Sequence, residues 1–513
     1  MPSKNKGKTK APVHTVMSSK PGKSVTTPAP KLDDVSHLLF ASSENDKSTH
    51  DIPFIGPIAL VDQRQCDSAS QQVVHGRGLV VTRDVPPGEC LFIIPAIVST
   101  PIDEVHRRFL DLCTHESRNN QSGDKCYGKE LEEISETVLV ERIQSLCEED
   151  DSERMELKRK TFASFILQMS SDDLPNADLD VLLARASSPS YNQSQMTLDN
   201  ETILNIIRRN AFGPDYHSYD TIASCWLKNP SNLATELTYK RLLGIYPLAA
   251  MINHSCSPNA VRIFGNVPAS LETHELRGRE VMIVHASAAI KKGSEIVWSY
   301  FPPTIPFDIR HETSKKYGFS CKCTRCTSEQ KAVDGIQLFD RLATTNIDRM
   351  NLPITVQSIE AALAFQNINS EIQRYLRISY ARIYMEYFNE ALASPLIKSI
   401  QNNDEMSKLL KLTTQLHFAF VSCNNASTEH ISILHLCYEL ASLMHNNAVS
   451  YFPDTMSKTM SQVRFWTEQL KKVHMTRYGS LGENLESVRN VMKHSRAVLR
   501  SKDGWNQSSH GFI

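Results

Sequence analysis

At 513 residues the chain is too long for one hydrophobic core, so two or three folded units with tails are expected. With 41% hydrophobic residues, 22% charged residues and a net charge of −1, the composition is that of a soluble protein without a large field of either sign. No apolar run approaches a membrane span and the N-terminus lacks the apolar core of a secretory signal, so an intracellular location is expected, with its 12 cysteines reduced.

The first 31 residues hold seven lysines and no carboxylate, among many Ser, Thr and Pro. Such a stretch buries too little apolar surface to offset its ordering entropy, so residues 1–50 are predicted to be a disordered basic tail. It would serve solubility, or contact with nucleic acid or an acidic partner. From Val73 the chain reads VVHGRGLVVTRDVPPGECLFIIP. Two β-rich runs flank the turn VPPGE, which predicts strand, tight connection and strand. A similar phrase, IVHASAAIKKGSEIVWSY, covers residues 283–300. Together they predict two small strand pairs of one β-rich domain, residues 51–100 and 201–301, split by an insertion over 101–200. ELEEISETVLVERIQSLCEED and MELKRKTFASFILQM in that insertion carry apolar residues at helical spacing, and ASSPSYNQSQM reads as a loop. After residue 330 the amphipathic pattern is helical to about residue 505, an array of α-hairpins whose aromatics belong to the core.

The strongest chemical signal is CKCTRC, with Cys321, Cys323 and Cys326. Closely spaced thiols in a reducing compartment point to zinc, and structural zinc takes four ligands. No fourth cysteine or histidine follows at short range. Cys256, in the polar turn MINHSCSPNA, is the best candidate because that turn has no packing need for a thiol; spacing alone leaves eight other cysteines as rivals.

HGRGLVVTRDVPPGE, NHSCSPN, EIVWSY and YGFSCKCTRC occur in the order found in SET-domain lysine methyltransferases. The chain resembles most the SET and MYND branch, including the phrase GIYPLAAMINHSC, and LKKVHMTRYG is similar to a phrase in that branch's tetratricopeptide-like tail. The implied fold is α+β: a β-rich SET domain with a helical insertion, a zinc-binding post-SET segment over 302–330, and an all-α tetratricopeptide-like C-terminal domain over 331–505. One departure stands out. The insertion offers Cys113, Cys126 and Cys147 with His106 and His115 nearby, contains no C-x-x-C pair, and does not match the eight-ligand MYND finger. The finger is therefore expected to be absent, and its DNA and proline-peptide binding are not carried over.

The resemblance implies S-adenosylmethionine as cofactor and a protein lysine, on a histone or another protein, as methyl acceptor, in the nucleus or cytoplasm. It assigns cofactor contacts to Gly76, Arg77, Gly78, Asn210, Asn253, His254, Tyr300 and Phe319. Gly76 and Gly78 would allow close backbone approach; Val81 stands where the third glycine of a dinucleotide fingerprint would be. The Asn253 amide would hold the polar end of the cofactor and His254 would contribute through its backbone. Asn210 in RRNAFGP reads equally as a helix-ending residue before a Gly-Pro turn. Tyr300 matches the catalytic tyrosine, whose hydroxyl accepts a weak C–H bond and orients the incoming nitrogen. Tyr317 would line the lysine channel, where burial favours loss of the lysine proton. Zinc would pin residues 317–326 against the 251–260 loop. A catalytically silent SET scaffold, or a helical-repeat adaptor for other proteins, is the alternative reading.

Overall fold

The computed structural model describes residues 54–62, 77–117, 127–147, 199–213, 241–266, 280–333, 338–339, 342, 350–365, 368–393, 403–423 and 426–478. The expected basic tail, Gly76, Cys126, the helical stretch MELKRKTFASFILQM and the loop ASSPSYNQSQM lie outside these residues.

The protein is α+β, with short strands gathered in the N-terminal part and helices making up the C-terminal part. Strands β1 (Phe54–Ile55), β2 (Ile58–Asp62), β3 (Arg77–Val81), β4 (Cys90–Pro95) and β5 (Val98–Pro101) lead into helices α1 (Ile102–Ser117) and α2 (Gly128–Cys147). Helix α3 (Asn200–Asn210), β6 (Ala211–Phe212), β7 (Arg241–Ile245) and the single turn α4 (Pro247–Ala250) precede β8 (Asn253–His254), β9 (Ala260–Asn266), β10 (Glu280–Ala286) and β11 (Val297–Trp298). Helices α5 (Phe307–Lys316) and α6 (Thr324–Val333) carry the cysteine segment. Helices α7 (Leu352–Phe365), α8 (Ser370–Ser379), α9 (Ala381–Ala393), α10 (Asn403–Cys423), α11 (Thr428–Tyr451) and α12 (Met456–Tyr478) follow.

The β-rich runs are strands as expected, but they pair differently. β3 pairs with β2 and β4 pairs with β1 and β10, so the VPPGE phrase is not a hairpin. Eight residues separate β3 from β4, and Pro86 and Pro87 bring no N–H to a ladder. Pairing runs between the two similar phrases instead: β4 lies against β10, and bridges join Val80 to Glu295 and Val85 to Ile290. Gly88 and Gly293 take the matching left-handed positions, φ 85° and 78°, that bend each phrase.

The central sheet has the order β1-β4-β10-β9 and is antiparallel. Alternation along its strands gives it two apolar faces. Ile93, Ile263 and Ile283 point to one side and join a core shared with the C-terminal helices, including Leu434 and Trp466. Phe92, Ile94, Phe264, Met282 and Val284 point to the other side and pack with Leu79, Tyr246, Ile252 and Trp298. The helical part is thereby fused to the sheet. Arg477 near the end of α12 reinforces the join by donating to the carbonyls of Arg262 on β9 and Ala426 before α11. Side-chain caps define the helix starts: Asp199 for α3, Asn369 for α8 and Ser427 for α11. No helix among the described residues is long and apolar enough to cross a membrane.

Candidate active site and cysteine cluster

The site is built on two short parallel strands. β8 pairs with β11, Asn253 opposite Val297 and His254 opposite Trp298, and the loop that follows is stapled to the same strand. Ser255 N–H donates to the Trp298 carbonyl at 2.9 Å, while Asn259 Oδ1 accepts from Val297 N–H and its amide donates to the Glu295 carbonyl, each at 2.8 Å. Asn259 therefore sets the register between the NHSCSPN turn and the strand leading to Tyr300.

His254 is the hinge of the arrangement. Its Nδ1 accepts the Tyr300 backbone N–H at 3.0 Å, and its Nε2 lies 3.3 Å from the Cys256 sulfur. An Nδ1 that accepts leaves the proton of a neutral imidazole on Nε2, directed at the sulfur. The rings of Phe301, Tyr300 and Phe319 surround it, with centroids at 4.3, 5.3 and 5.4 Å. Lost solvation, helped by Arg310 and Arg325, pushes its pKa down to about 3, so the imidazole is a neutral structural group that orients Tyr300.

The Tyr300 hydroxyl donates to the Ile252 carbonyl at 2.8 Å. Tyr317 and Phe319 stand beside it, with centroids at 5.7 and 6.0 Å. Gly318 between them has φ 81°, a left-handed turn that carries both flanking rings to the Tyr300 side. Two cavities share Tyr300 and Arg262 as walls. The smaller, about 40 Å³, is bounded by Phe212, Ile252 and Tyr317; the larger, about 130 Å³, opens between Trp298 and the Ser427–Glu429 turn of the helical part.

Asn253 donates its amide to Glu295 at 2.7 Å, and burial raises the pKa of that carboxyl against the lowering effect of the bond. Gly78 is buried on β3, whose Val80 bridges Glu295, so Gly78 and Asn253 face the same segment. The Arg77 side chain, like Gly76, lies outside the described residues. Asn210 ends α3 and turns its amide back to the Ile206 carbonyl at 3.0 Å, as a helix-terminal residue does.

Cys256, Cys321, Cys323 and Cys326 come together with all four sulfurs within 4.8 Å of one another. Cys256 lies 3.9 Å from Cys321 and 3.5 Å from Cys326, bracketing the roughly 3.8 Å edge of a tetrahedron with metal–sulfur bonds of about 2.3 Å. The donor set therefore fits a tetrahedral thiophilic ion such as zinc. Hydrogen bonding from Cys256 and the other two thiols holds Cys323 far below its ordinary pKa, a ready thiolate. Behind the cluster lies a buried ionic network that sequence reasoning missed. Glu329 accepts from Arg310 at 2.6 Å and from Arg325 at 2.7 Å, all three side chains being fully enclosed. Both guanidiniums also reach Ser379 at the end of α8, and Arg325 donates to the Cys256 carbonyl at 3.1 Å. Two cations against one anion leave a positive excess beside the sulfurs, which favours a negatively charged metal–thiolate cluster.

With this geometry in view, the SET domain family matches residues 76–301. Those residues of the chain match a SET domain, and the chain is similar to proteins of the SET and MYND branch. It is 32% identical over 113 residues to the histone-lysine N-methyltransferase ASHR2 of Arabidopsis thaliana, covering 22% of this chain and 27% of that protein. It is 23% identical over 290 residues to the N-lysine methyltransferase SMYD2-B of Xenopus laevis, 50% of this chain and 59% of that one. For the SET domain-containing protein SmydA-8 of Drosophila melanogaster the identity is 24% over 286 residues, 50% and 55% of the two chains. The chain thus spans less than two thirds of each of these relatives. A solved SET domain of LSMT aligns over 85% of this chain and 94% of its own at 11% identity, with a TM-score of 0.25, too slight a likeness to bear on the site.

Proposed function

We propose that the protein is an S-adenosylmethionine-dependent protein-lysine N-methyltransferase with a structural zinc. One observation carries the reading: Tyr300, Tyr317, Phe319 and His254 converge on the loop fixed by four cysteines, at the meeting point of two cavities. The donor set suits the cofactor. Oxygens of Tyr300 and Ile252, 2.8 Å apart, and the adjoining aromatic faces accommodate a sulfonium by C–H···O and cation–π contact. When bound, the cofactor supplies an electrophilic methyl group. Gly76, Arg77, Gly78, Asn210, Asn253, the His254 backbone and Phe319 would hold it, the Phe319 ring through stacking.

The chain's own residues then have distinct tasks. Tyr300 aligns the incoming amine, a contribution of orientation rather than covalent chemistry. Tyr317 and its neighbours exclude water from the side chain of the target lysine, which favours the neutral amine. His254 and Arg325 position Tyr300 through the 251–260 loop, and zinc on Cys256, Cys321, Cys323 and Cys326 closes the 317–326 segment over it. Within the proposed division of the chain, residues 51–100 and 201–301 supply the pocket, 302–330 the zinc, and 331–505 one wall of the larger cavity. The acceptor is a lysine of a histone or another protein, and a reduced nuclear or cytoplasmic setting suits the thiolates.

Calorimetry with S-adenosylmethionine and transfer of labelled methyl to a protein extract test the proposal together. Binding followed by labelled protein is expected. Binding without any labelling would favour a silent scaffold, the alternative that the close fusion of helices to the central sheet supports.

A further inference from the structure

Glu295, just ahead of β11, lies between β3 and β8. Val80 on β3 bridges it, and the Asn253 amide on β8 donates to its Oε1 at 2.7 Å. Its carbonyl accepts from the Asn259 amide at 2.8 Å, so the backbone that carries the carboxyl is fixed as well. Among the described residues Asn253 is the one hydrogen-bond partner of this carboxyl, and no lysine, arginine or histidine forms an ion pair with it. The residue is half-buried, and one neutral amide restores only part of the solvation that burial takes from a carboxylate. Burial accordingly raises its pKa, against the bond from Asn253. A cation that arrives with a ligand would supply the missing partner.

We propose that Glu295 takes the α-ammonium group of S-adenosylmethionine, with Asn253 as the positioning residue that holds the carboxyl in place; this rests on the cofactor reading above. Adjacent residues of β8 then serve two ends of one site: Asn253 holds Glu295, and His254 accepts the Tyr300 N–H at 3.0 Å. The cofactor carries two cationic groups, a sulfonium and the ammonium of its amino-acid end. The oxygens of Tyr300 and Ile252 suit the first, and a carboxylate suits the second by a charge-assisted hydrogen bond. The ligand class is a nucleoside bearing a free α-amine; the same nucleoside without the amine leaves the carboxylate desolvated and uncompensated.

The test is calorimetric titration of the full chain with three ligands: S-adenosylmethionine, its analogue with a 2-oxo group in place of the amine, and S-adenosylhomocysteine, which keeps the amine and lacks the sulfonium charge. Wild type should bind S-adenosylmethionine about ten-fold tighter than the oxo acid. Glu295→Gln keeps an oxygen for the Asn253 amide and removes the charge, so this preference should shrink towards parity. The same variant should weaken S-adenosylhomocysteine by about as much as S-adenosylmethionine, since both carry the amine. Glu295→Asp retains the charge one methylene further back and should keep part of the preference; it serves as the deciding variant should Glu295→Gln fail to fold. Equal binding of amine and oxo acid by wild type, or a preference of the same size in wild type and both variants, would overturn the proposal while leaving the cofactor reading intact. A loss in Glu295→Gln confined to S-adenosylmethionine would move the contact to the sulfonium and overturn it as well. Failure of wild type to bind either S-adenosylmethionine or S-adenosylhomocysteine would remove the cofactor reading and this inference together.

Discussion

Exchanging the members of the buried Arg310–Arg325–Glu329 network one at a time reports the charge carried by the cysteine cluster. Four thiolates around a divalent cation carry two net negative charges, against the single positive excess of the network. Glu329→Gln would then bring the assembly closer to neutrality, at the loss of charge-assisted bonds from Arg310 and Arg325, for about 1.5–3 kcal/mol. Arg325→Met would move it further from neutrality and strip Glu329, Ser379 and the Cys256 carbonyl of donors at 2.7, 2.8 and 3.1 Å. Breaking a fully enclosed ion pair from one side costs about 3–5 kcal/mol, so Arg325→Met should be the worse of the two. If the cysteines carried little charge the order would reverse, because Glu329→Gln would strand two buried guanidiniums together. Urea midpoints for both variants, with zinc release to a chromogenic chelator followed in parallel, decide between these cases. A lower midpoint for Glu329→Gln than for Arg325→Met would refute the charged-cluster reasoning, whatever the activity of either protein.

Tyr300→Phe keeps the ring packing and removes the bond to Ile252, costing about 1 kcal/mol of stability, while methyl transfer should fall about a hundred-fold through misalignment. Equal transfer by wild type and variant would take the hydroxyl out of the mechanism. Cys256→Ser should lower the zinc content measured by elemental analysis, since a serine hydroxyl is a poor replacement for a thiolate; full retention would mean that another side chain completes the site. Burial pushes the pKa of His285 and of His417 down to about 4, and that of His430 well below its ordinary value. Below the unfolded value of about 6.5 the unfolded chain takes up protons that the native protein refuses, so stability should decline as pH falls from about 6.5 towards 4. For His285 alone this amounts to about 2 kcal/mol at pH 5, and urea midpoints that change equally with pH in wild type and His285→Gln would contradict it.

What the sequence by itself determined was local or nearly so. The spacing of Cys321, Cys323 and Cys326 marks a turn able to hold a metal, and the polar turn around Cys256 has a composition that packing alone does not explain. β-rich runs and helical periodicity likewise identify strands and helices, because one buried face imposes a short repeat on the chain. Which strand pairs with which is another matter. The VPPGE phrase carries the marks of a hairpin, yet β3 and β4 pair with β2 and β10, a choice made by partners as much as about 190 positions away.

Only the tertiary structure decided the polar interior. Nothing in the sequence singles out Arg310, Arg325 and Glu329, and burial makes them an ionic brace that meets Ser379 some 50 to 69 positions further on. Asn253 is legible as an unusual amide, but its bond to Glu295 spans 42 residues. The assignment of His254 as a neutral orienting group likewise depends on Tyr300 and on three enclosing rings brought in from elsewhere in the chain. The physical reason is common to all of these. Apolar patterning records which side of an element faces inward, whereas the partner and protonation state of a buried polar group depend on distances and solvation that exist only once distant segments have packed.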